Sequence, residues 1–229
     1  MTGTTPIRAV VFDLDGTLID SGPDIAIAVN KMLSDLGKGP LATKSIERFL
    51  GDGASTLVAK ILTEVGALAD EAAVKRGTDS YLSYYRHSPV IETRFFDHVL
   101  EDLRQLRECG LKLGICTNKP HALTQTVLHD LGVDDLFEIA VGADAVPHRK
   151  PDAGHLIAVV DALGLKMNEI VYVGDTQVDA DCAMNAGVRF FVVKWGGGAS
   201  VDCRSATRIA RISDILTHIE TPTAREIVR

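Results

Sequence analysis

The chain lacks the segments that would place it in a membrane or outside the cell. No apolar run approaches the roughly 20 residues that a membrane-spanning helix needs, and residues 1–6 contain no apolar segment of the kind found in secretion signals. The cysteines form no C-x-x-C pair, and their irregular spacing is typical of free thiols in a reducing compartment; they are Cys109, Cys116, Cys182 and Cys203. We therefore expect a cytoplasmic protein that does not bind membranes.

Positive charge is also in deficit, and there are no repeats or low-complexity tracts. The chain has 24 Lys and Arg against 31 Asp and Glu, for a formal net charge of -7. Because the phosphate backbone of nucleic acid attracts basic surfaces, we expect no nucleic-acid partner. A small phosphorylated anion stays possible if the site itself carries a cation or a metal. The 229 residues suffice for one large domain or two small ones.

The pattern of apolar residues predicts an α/β core that is interrupted by a helical insertion. Continuously apolar segments alternate with amphipathic ones, which is typical of a parallel sheet covered on both faces. The predicted strands lie at residues 9–12, 111–116, 137–141, 169–173 and 190–193. Residues from about 22 to about 88 show helical spacing and no strand pattern. We predict a Rossmann-like core domain over residues 1–20 and 93–229 and a helical cap domain over residues 21–92.

Two carboxylates, Asp13 and Asp15, end the first predicted strand and precede Gly16. Charges so close to a core are costly unless they are paired or bound to a cation. Two like charges two residues apart therefore indicate a metal site or an acid/base pair. For this short motif alone, a solvated Asp-Gly turn after an edge strand is the alternative.

Polar residues also follow the other predicted strands. Thr117 and Asn118 follow the second, Lys150 the third, and Asp175 and Asp179 the fourth. Taken singly, these residues could cap helices, lie in a surface loop or occupy an exposed helix position. Ligands of open parallel sheets bind beyond the carboxyl ends of the strands, so we expect all of these groups to face one crevice.

Such groups are the parts of a phosphoryl-transfer site. Asp13 and Asp175 can hold a hard cation such as Mg²⁺, which prefers oxygen ligands and often meets substrate phosphate. Thr117 and Asn118 offer donors near a helix N-terminus, which suits a phosphoryl group, and Lys150 supplies a positive charge. We therefore predict Mg²⁺ as the cofactor and a small phosphorylated metabolite as the substrate.

The four segments resemble, in order, the motifs of the haloacid dehalogenase superfamily, and the resemblance extends over nearly the whole chain. The matching segments are Phe12-Asp-Leu-Asp-Gly-Thr17, Thr117-Asn118, Lys150 in Arg-Lys-Pro-Asp, and Gly174-Asp-Thr-Gln-Val-Asp179. Residues from about 20 to about 92 resemble the helical cap of the family. Within the superfamily, the closest resemblance is to segments of bacterial phosphoglycolate phosphatases, in Asp13-Leu-Asp-Gly-Thr-Leu-Ile-Asp-Ser21, Thr117-Asn-Lys-Pro120 and Arg149-Lys-Pro-Asp152.

The resemblance implies a mechanism with an aspartyl-phosphate intermediate. Asp13 would attack phosphorus in line, and Asp15 would protonate the leaving alkoxide and later take a proton from the hydrolytic water. Mg²⁺ would be held by Asp13, Asp175 and the backbone carbonyl of Asp15.

The remaining motif residues take supporting roles in this scheme. Thr117, Asn118 and Lys150 would hold the transferring group, and Asp179 would orient Lys150 or a metal-bound water. The implied reaction is hydrolysis of 2-phosphoglycolate to glycolate and phosphate. Another sugar-phosphate phosphatase, a phosphomutase, and a non-catalytic relative that binds a phosphorylated ligand are the alternatives; the intact set of catalytic residues favours an enzyme.

Substrate selection is expected in the cap, which can reach the leaving group. Arg48 and Gly51-Asp-Gly53 lie at the break between two cap helices, where backbone N-H groups could meet a substrate carboxylate; a simple interhelix turn is the alternative. The loop Trp195-Gly-Gly-Gly198 either bends beside the site or packs on the core. For the oligomeric state, a monomer or a homodimer is expected.

Overall fold

The computed structural model describes residues 5–202 and 206–220. Cys109, Cys116 and Cys182 are free cysteines, as predicted, and Cys203 lies outside the described residues. Within the described ranges, no helix is both long enough and apolar enough to cross a membrane.

A six-stranded parallel sheet forms the centre of the protein. In chain order, the strands of the described residues are β1 (Ala9–Phe12), β2 (Ile19–Asp20), β3 (Arg94–Phe95), β4 (Lys112–Thr117), β5 (Ile139–Gly142), β6 (Ile170–Gly174), β7 (Arg189–Val193) and β8 (Thr207–Ile209). The sheet has the order β5-β4-β1-β6-β7-β8, and every pairing in it is parallel. The strand order reverses at β1, which is where open α/β sheets bind their ligands. The α/β fold predicted from the sequence is confirmed.

Helices account for much of the remaining chain. The α-helices of the described residues are α1 (Gly22–Asp35), α2 (Thr43–Glu47), α3 (Ala54–Glu64), α4 (Glu71–His87), α5 (Val99–Glu108), α6 (His121–Asp130), α7 (Ala153–Ala162) and α8 (Gln177–Ala186). The first four are inserted between β2 and β3, and we call them the helical cap. The helical insertion is therefore present as predicted, and its status as a separate domain stays a prediction.

Both faces of the central strand are buried, which explains its continuously apolar sequence. Val10 and Phe12 belong to a hydrophobic cluster that also contains residues of α5, α6 and the helical cap. Ala9 and Val11 belong to a second cluster, formed with α7 and α8. Asp13 directly follows Phe12, so it lies at the end of a strand that is packed on both faces.

The two connections between the core and the helical cap are tied together by a short ribbon and one carboxylate. Strands β2 and β3 pair antiparallel. Asp24, near the start of α1, accepts hydrogen bonds from the backbone N-H groups of Ile91, Glu92 and Thr93 and from the Thr93 hydroxyl. Burial alone would raise the pKa of Asp24, but these hydrogen bonds outweigh it and lower the pKa. The outgoing and returning chains are thus joined at the base of the cap.

Candidate active site

Asp13 lies directly beyond β1 and is almost completely buried, at 3% exposure. Lys150 Nζ lies 2.8 Å from Asp13 Oδ1, at ion-pair distance but without hydrogen-bond geometry. The same ammonium donates to Asp179 Oδ1 at 2.6 Å and to the Tyr172 hydroxyl at 3.0 Å. Lys150 is therefore no surface-loop lysine; it is buried between two carboxylates.

The carboxylates of this cluster differ in pKa because their partners differ. Burial, partly offset by Lys150 and reinforced by Asp179, raises the pKa of Asp13 to about 6. Burial, together with the charges of Asp179 and Asp13, raises the pKa of Asp175 to about 8. Burial would also raise the pKa of Asp179, but Lys150 and the hydrogen bonds from Thr176 and Tyr172 lower it. Asp179 is thus the carboxylate that the protein itself stabilises as an anion.

Asp175 is held by the segments that flank it in space. Its Oδ1 accepts from the Thr17 hydroxyl at 2.8 Å, and its Oδ2 accepts from the backbone N-H of Gly197 at 2.7 Å. A Cβ atom at Gly16, where φ is +88°, would lie 2.4 Å from Asp175 Oδ2, so glycine is required there. The backbone of the Asp-Gly turn can therefore approach this carboxylate closely.

The loop from Trp195 to Gly198 fulfils both alternatives left open by its sequence. Trp195 packs against the core cluster, and its indole N-H donates to the carbonyl of Thr17 at 2.9 Å. Gly197 meanwhile donates to Asp175. The loop thus packs on the core and also holds a site carboxylate.

The donor set of the cluster fits a divalent cation. Asp13, Asp175 and Asp179 each offer a carboxylate oxygen, and these atoms lie within 4.8 Å of one another. One lysine cannot balance three ionised, buried carboxylates, so a further cation would relieve their repulsion. Asp179 already accepts hydrogen bonds at both oxygens. The residues best placed to hold the metal are therefore Asp13 and Asp175, with Asp179 positioning Lys150.

Asp15 faces away from this cluster, toward the helical cap. Its Oδ1 accepts from the Ser21 hydroxyl at 2.6 Å and from Lys119 Nζ at 2.9 Å, and Lys119 also lies 3.1 Å from Oδ2. Lys119 donates in turn to the hydroxyl of Tyr85, in α4, at 2.8 Å. Neither Lys119 nor Tyr85 was predicted as a site residue. Lys119 follows Thr117 and Asn118 at a strand end, which was an available signal, whereas nothing near Tyr85 in the sequence indicates a site.

Thr117 and Asn118 are buried beside Asp13 and do not cap the following helix, because the N-cap of α6 is Pro120. The Asn118 side-chain amide donates to the carbonyls of Gly51 at 3.0 Å and Lys150 at 3.1 Å. Its Oδ1 is buried without a hydrogen-bond partner. Asn118 therefore connects the helical cap, the end of β4 and the loop that follows β5.

A small cavity of about 40 Å³ lies between these strand ends and the helical cap. Its core side is formed by Asp13, Asp15, Thr117, Asn118, Lys119, Pro120 and Leu123. Its cap side is formed by Ile25, Phe49, Leu50, Gly51, Gly53, Ala54, Leu57, Tyr81 and Tyr85. We call it the leaving-group cavity, because it extends from Asp13 past Asp15 toward the cap.

The two cap residues predicted from the sequence are placed differently. Gly51 lines the leaving-group cavity. Its backbone approaches Thr176 of the core so closely that a Cβ atom at Gly51 would lie 2.8 Å from Thr176 Cγ2. Arg48 is not among the lining residues. It pairs with Glu64 at 2.6 Å with its side chain half exposed, along an outer groove that also touches Asp15 and Asp175.

Comparison with known proteins supports the fold and the family. Residues 10–193 match the family model described as haloacid dehalogenase-like hydrolase. A phosphoglycolate phosphatase of Cereibacter sphaeroides is 39% identical over 181 residues, which cover 79% of this chain and 82% of that protein. A phosphoglycolate phosphatase of Nitrosospira multiformis is 36% identical over 192 residues, which cover 83% of this chain and 85% of that one.

Solved structures show the same likeness. The crystal structure of a predicted phosphoglycolate phosphatase from Haemophilus somnus has a TM-score of 0.83 at 28% identity, covering 94% of this chain and 99% of that one. The family model spans most of the chain, and its first and last matched residues lie in β1 and β7. The chain therefore belongs to the haloacid dehalogenase-like hydrolases and is an enzyme of that family.

Proposed function

We propose that this hydrolase is a Mg²⁺-dependent phosphatase that cleaves a small phosphate monoester, 2-phosphoglycolate above others, through an aspartyl-phosphate at Asp13. One observation carries the proposal. The buried carboxylate of Asp13 contacts Lys150 and lines one cavity together with Asp15, Thr117 and Asn118. A nucleophile, an acid/base group and phosphate-binding donors thus converge where a phosphoryl group can sit.

Asp13 is the nucleophile of this scheme. Lys150 contacts Asp13 from outside the cavity and offsets the negative charges of Asp13 and of the phosphoryl group that Asp13 receives. Asp179 and Tyr172 fix the ammonium in place. The Thr117 hydroxyl accepts the backbone N-H of Lys119 at 3.3 Å, which leaves its proton for a phosphoryl oxygen. Asn118 positions the carbonyl of Lys150 beside it.

Asp15 is the general acid and base, because it lines the cavity on the side away from the carboxylate cluster. It protonates the departing alkoxide and then takes a proton from the water that hydrolyses the aspartyl-phosphate. When bound by Asp13, Asp175 and the backbone carbonyl of Asp15, Mg²⁺ would offset the repulsion between carboxylate and phosphate. Mg²⁺ is the proposed ion because the available donors are oxygens.

The size of the leaving-group cavity supports a small leaving group. Its volume is about 40 Å³, against about 710 Å³ for the outer groove that Arg48 lines. That favours a two-carbon alcohol such as glycolate over a sugar, and hydrolysis over a phosphomutase reaction. The names of the two curated relatives point to the same substrate.

The helical cap, proposed as a domain over residues 21–92, covers the cavity and excludes bulk water from it. Gly51 is proposed to contact the substrate directly, because it lines the cavity. Arg48 is proposed to act at the outer groove, where it would meet an anionic substrate on entry.

The test is kcat/KM in the presence of Mg²⁺ for 2-phosphoglycolate, sugar phosphates, nucleoside monophosphates and pyrophosphate. We expect 2-phosphoglycolate to be preferred by about a hundredfold, or about 2.7 kcal/mol of transition-state binding. Asp13→Asn should lower kcat on the order of 10⁴-fold or more, as loss of a nucleophile does in other enzymes. Circular dichroism should show that this variant is folded.

Two results would count against the proposal in different ways. If Asp13→Asn kept most of the activity, the nucleophile would be wrong. If the wild-type profile were flat while Asp13→Asn was inactive, the phosphatase mechanism would stand and the preference for 2-phosphoglycolate would be rejected.

A further inference from the structure

Lys119 is the feature of the site that the proposed mechanism does not use. Among the described residues that line the leaving-group cavity, it is the only one with a cationic side chain. Lys150 is not one of the lining residues, and its ammonium is engaged by Asp13, Asp179 and Tyr172. Arg48 lies in the outer groove. A positive charge on the leaving-group side of the cavity therefore comes from Lys119.

The ammonium of Lys119 is held in one place. Its side chain is 2% exposed, it donates to Asp15 and to the Tyr85 hydroxyl, and it lies 4.5 Å from the centre of the Tyr85 ring. Tyr85 is itself buried and stacks on Tyr81 at 5.9 Å between ring centres. A lysine fixed in this way offers an oriented charge at little further loss of side-chain entropy.

The position of Lys119 relative to Asp15 decides what it can bind. In the proposed reaction, the ester oxygen of the substrate meets Asp15. In 2-phosphoglycolate, one methylene group separates that oxygen from the carboxylate. Lys119 Nζ lies 2.9 Å from Asp15 Oδ1 and faces the same cavity. It is therefore within reach of a carboxylate that extends one carbon beyond the ester oxygen.

The rest of the cavity wall makes this cation necessary for an anionic leaving group. Ile25, Leu57, Tyr81 and Leu123 form apolar parts of the wall. An ionised carboxylate that enters such a cavity loses hydration and needs a paired cation in return. A neutral alcohol of the same length has no such need.

We propose that Lys119, held in place by Tyr85, binds the carboxylate of the leaving group and thereby selects anionic two-carbon phosphate esters. The inference rests on the proposed phosphatase function and deepens it. Because Tyr85 belongs to α4, the helical cap takes part in selection by fixing a lysine of the core. The competing account is that Lys119 serves only to hold Asp15, in which case all esters would depend on it equally.

The test compares two esters of equal chain length, 2-phosphoglycolate and ethyl phosphate, which lacks the carboxylate. We expect Lys119→Met to lower the ratio of their kcat/KM values on the order of 10- to 100-fold, the range for loss of a charged hydrogen bond. Lys119→Arg should retain part of the preference, and Tyr85→Phe should lower it less than Lys119→Met does. Lys31→Met, on the exposed face of α1, is the matched control and should leave the ratio unchanged.

With a third ester, loss of Lys119 should raise relative kcat/KM, which would not happen if the lysine only held Asp15 in place. O-phosphoethanolamine carries an ammonium where 2-phosphoglycolate carries its carboxylate, so Lys119 should repel it. Its kcat/KM relative to ethyl phosphate should rise in Lys119→Met. If Lys119→Met does not fold, the wild-type enzyme supplies the measurement: glycolate should inhibit hydrolysis of p-nitrophenyl phosphate at lower concentration than ethylene glycol does.

The inference would be overturned if Lys119→Met lowered kcat/KM equally for 2-phosphoglycolate and ethyl phosphate, or if glycolate inhibited no better than ethylene glycol. Failure of the proposed function would look different. In that case, wild-type protein with Mg²⁺ would hydrolyse neither ester, or Asp13→Asn would be as active as wild type.

Discussion

The core side and the cap side of the leaving-group cavity differ in their side chains: charged groups are concentrated on the core side, and apolar and aromatic groups on the cap side. On the core side, Asp13, Asp15 and Lys119 line the cavity. Lys150, Asp175 and Asp179 are buried outside the cavity, in the charged cluster around Asp13. On the cap side, the wall is largely apolar and aromatic, and it comes from the helical cap. This division suggests that the sheet fixes the groups that carry out the reaction, whereas the cap decides which leaving group fits.

The two lysines of the site differ in whether they contact the helical cap. Lys150 lies wholly within the core cluster, where Asp13 and Asp179 raise its pKa despite its burial. Lys119 starts from the core but ends between Asp15 and the cap residue Tyr85. Removing the two charges should therefore have different consequences: loss of Lys150 should affect folding and the reaction itself, and loss of Lys119 should affect mainly selectivity.

The largest expected effect on stability comes from Lys150→Met. This change leaves buried carboxylates without their cation, and breaking a buried ion pair in this way costs about 3–5 kcal/mol. Lys119→Met should cost less, because its partner Asp15 is partly exposed and keeps the hydrogen bond from Ser21. Urea unfolding of the metal-free proteins at pH 7 measures both. Equal losses would contradict the division between the two sides.

The next largest effect on stability is expected at Asp24, which connects the two chain segments at the base of the helical cap. Asp24→Asn turns a carboxylate that accepts several hydrogen bonds from residues 91–93 into an amide with a single acceptor oxygen. We expect a loss of about 1–3 kcal/mol, the cost of leaving buried donors unsatisfied. Asp79→Asn, at an exposed ion pair within α4, is the control and should change stability far less. A loss as small as that of the control would mean that Asp24 does not hold the base of the cap.

The buried carboxylates of the core should also make the free energy of unfolding of the metal-free protein depend on pH. The pKa of Asp175 is about 8 in the folded protein, so the native state keeps a proton that the unfolded state has already lost. The stability from this group is present at low pH and is lost as pH rises through 8. Between pH 6.5 and 8 the loss should be about 1–2 kcal/mol.

The pKa of Asp13 is about 6 and burial lowers that of His155 to about 4, so both groups titrate mostly below this window. Thermal melts across pH 6.5–8 measure the effect. Asp175→Asn, or saturating Mg²⁺, should flatten the curve. A wild-type slope that persists unchanged in Asp175→Asn would show that another group is responsible.

The smallest effect is expected at Arg48, outside the cavity. Its exposed pair with Glu64 contributes at most about 1 kcal/mol to stability, so Arg48→Ala should melt close to wild type. Because Arg48 lies on the outer groove, KM for 2-phosphoglycolate should rise less than it does in Lys119→Met. A larger rise would place the substrate carboxylate at Arg48 and would count against selection by Lys119.

Much of the fold could be predicted because its signals are local. The apolar runs of β1 and β6 and the helical spacing of α1 and α3 give the order of elements directly. The convergence of Asp13, Lys150 and Asp175 also followed from the sequence, because parallel strands end at one edge of the sheet. The two-residue strands β2 and β3 were not predicted, since so short a pair shows no periodicity.

The residues that the sequence did not reveal at the site depend on contacts between distant segments. Tyr85 lies at an apolar position of α4 and reads as a core residue until the fold brings its hydroxyl to Lys119. The role of Gly197 appears only when its loop meets Asp175. Arg48 and Gly51 are neighbours in the sequence, yet the turn between α2 and α3 places them on different cavities. Local sequence could not separate them.

The central claim is that Asp13 is the nucleophile, and trapping the intermediate tests it most directly. Asp15→Asn should slow hydrolysis of the aspartyl-phosphate, because the residue that activates water is lost. After rapid acid quench of this variant with Mg²⁺ and p-nitrophenyl phosphate, whose leaving group needs no general acid, peptide mass spectrometry should find one phosphoryl group on Asp13. A phosphoryl group on another residue, or a burst of free phosphate with unmodified Asp13, would contradict the account.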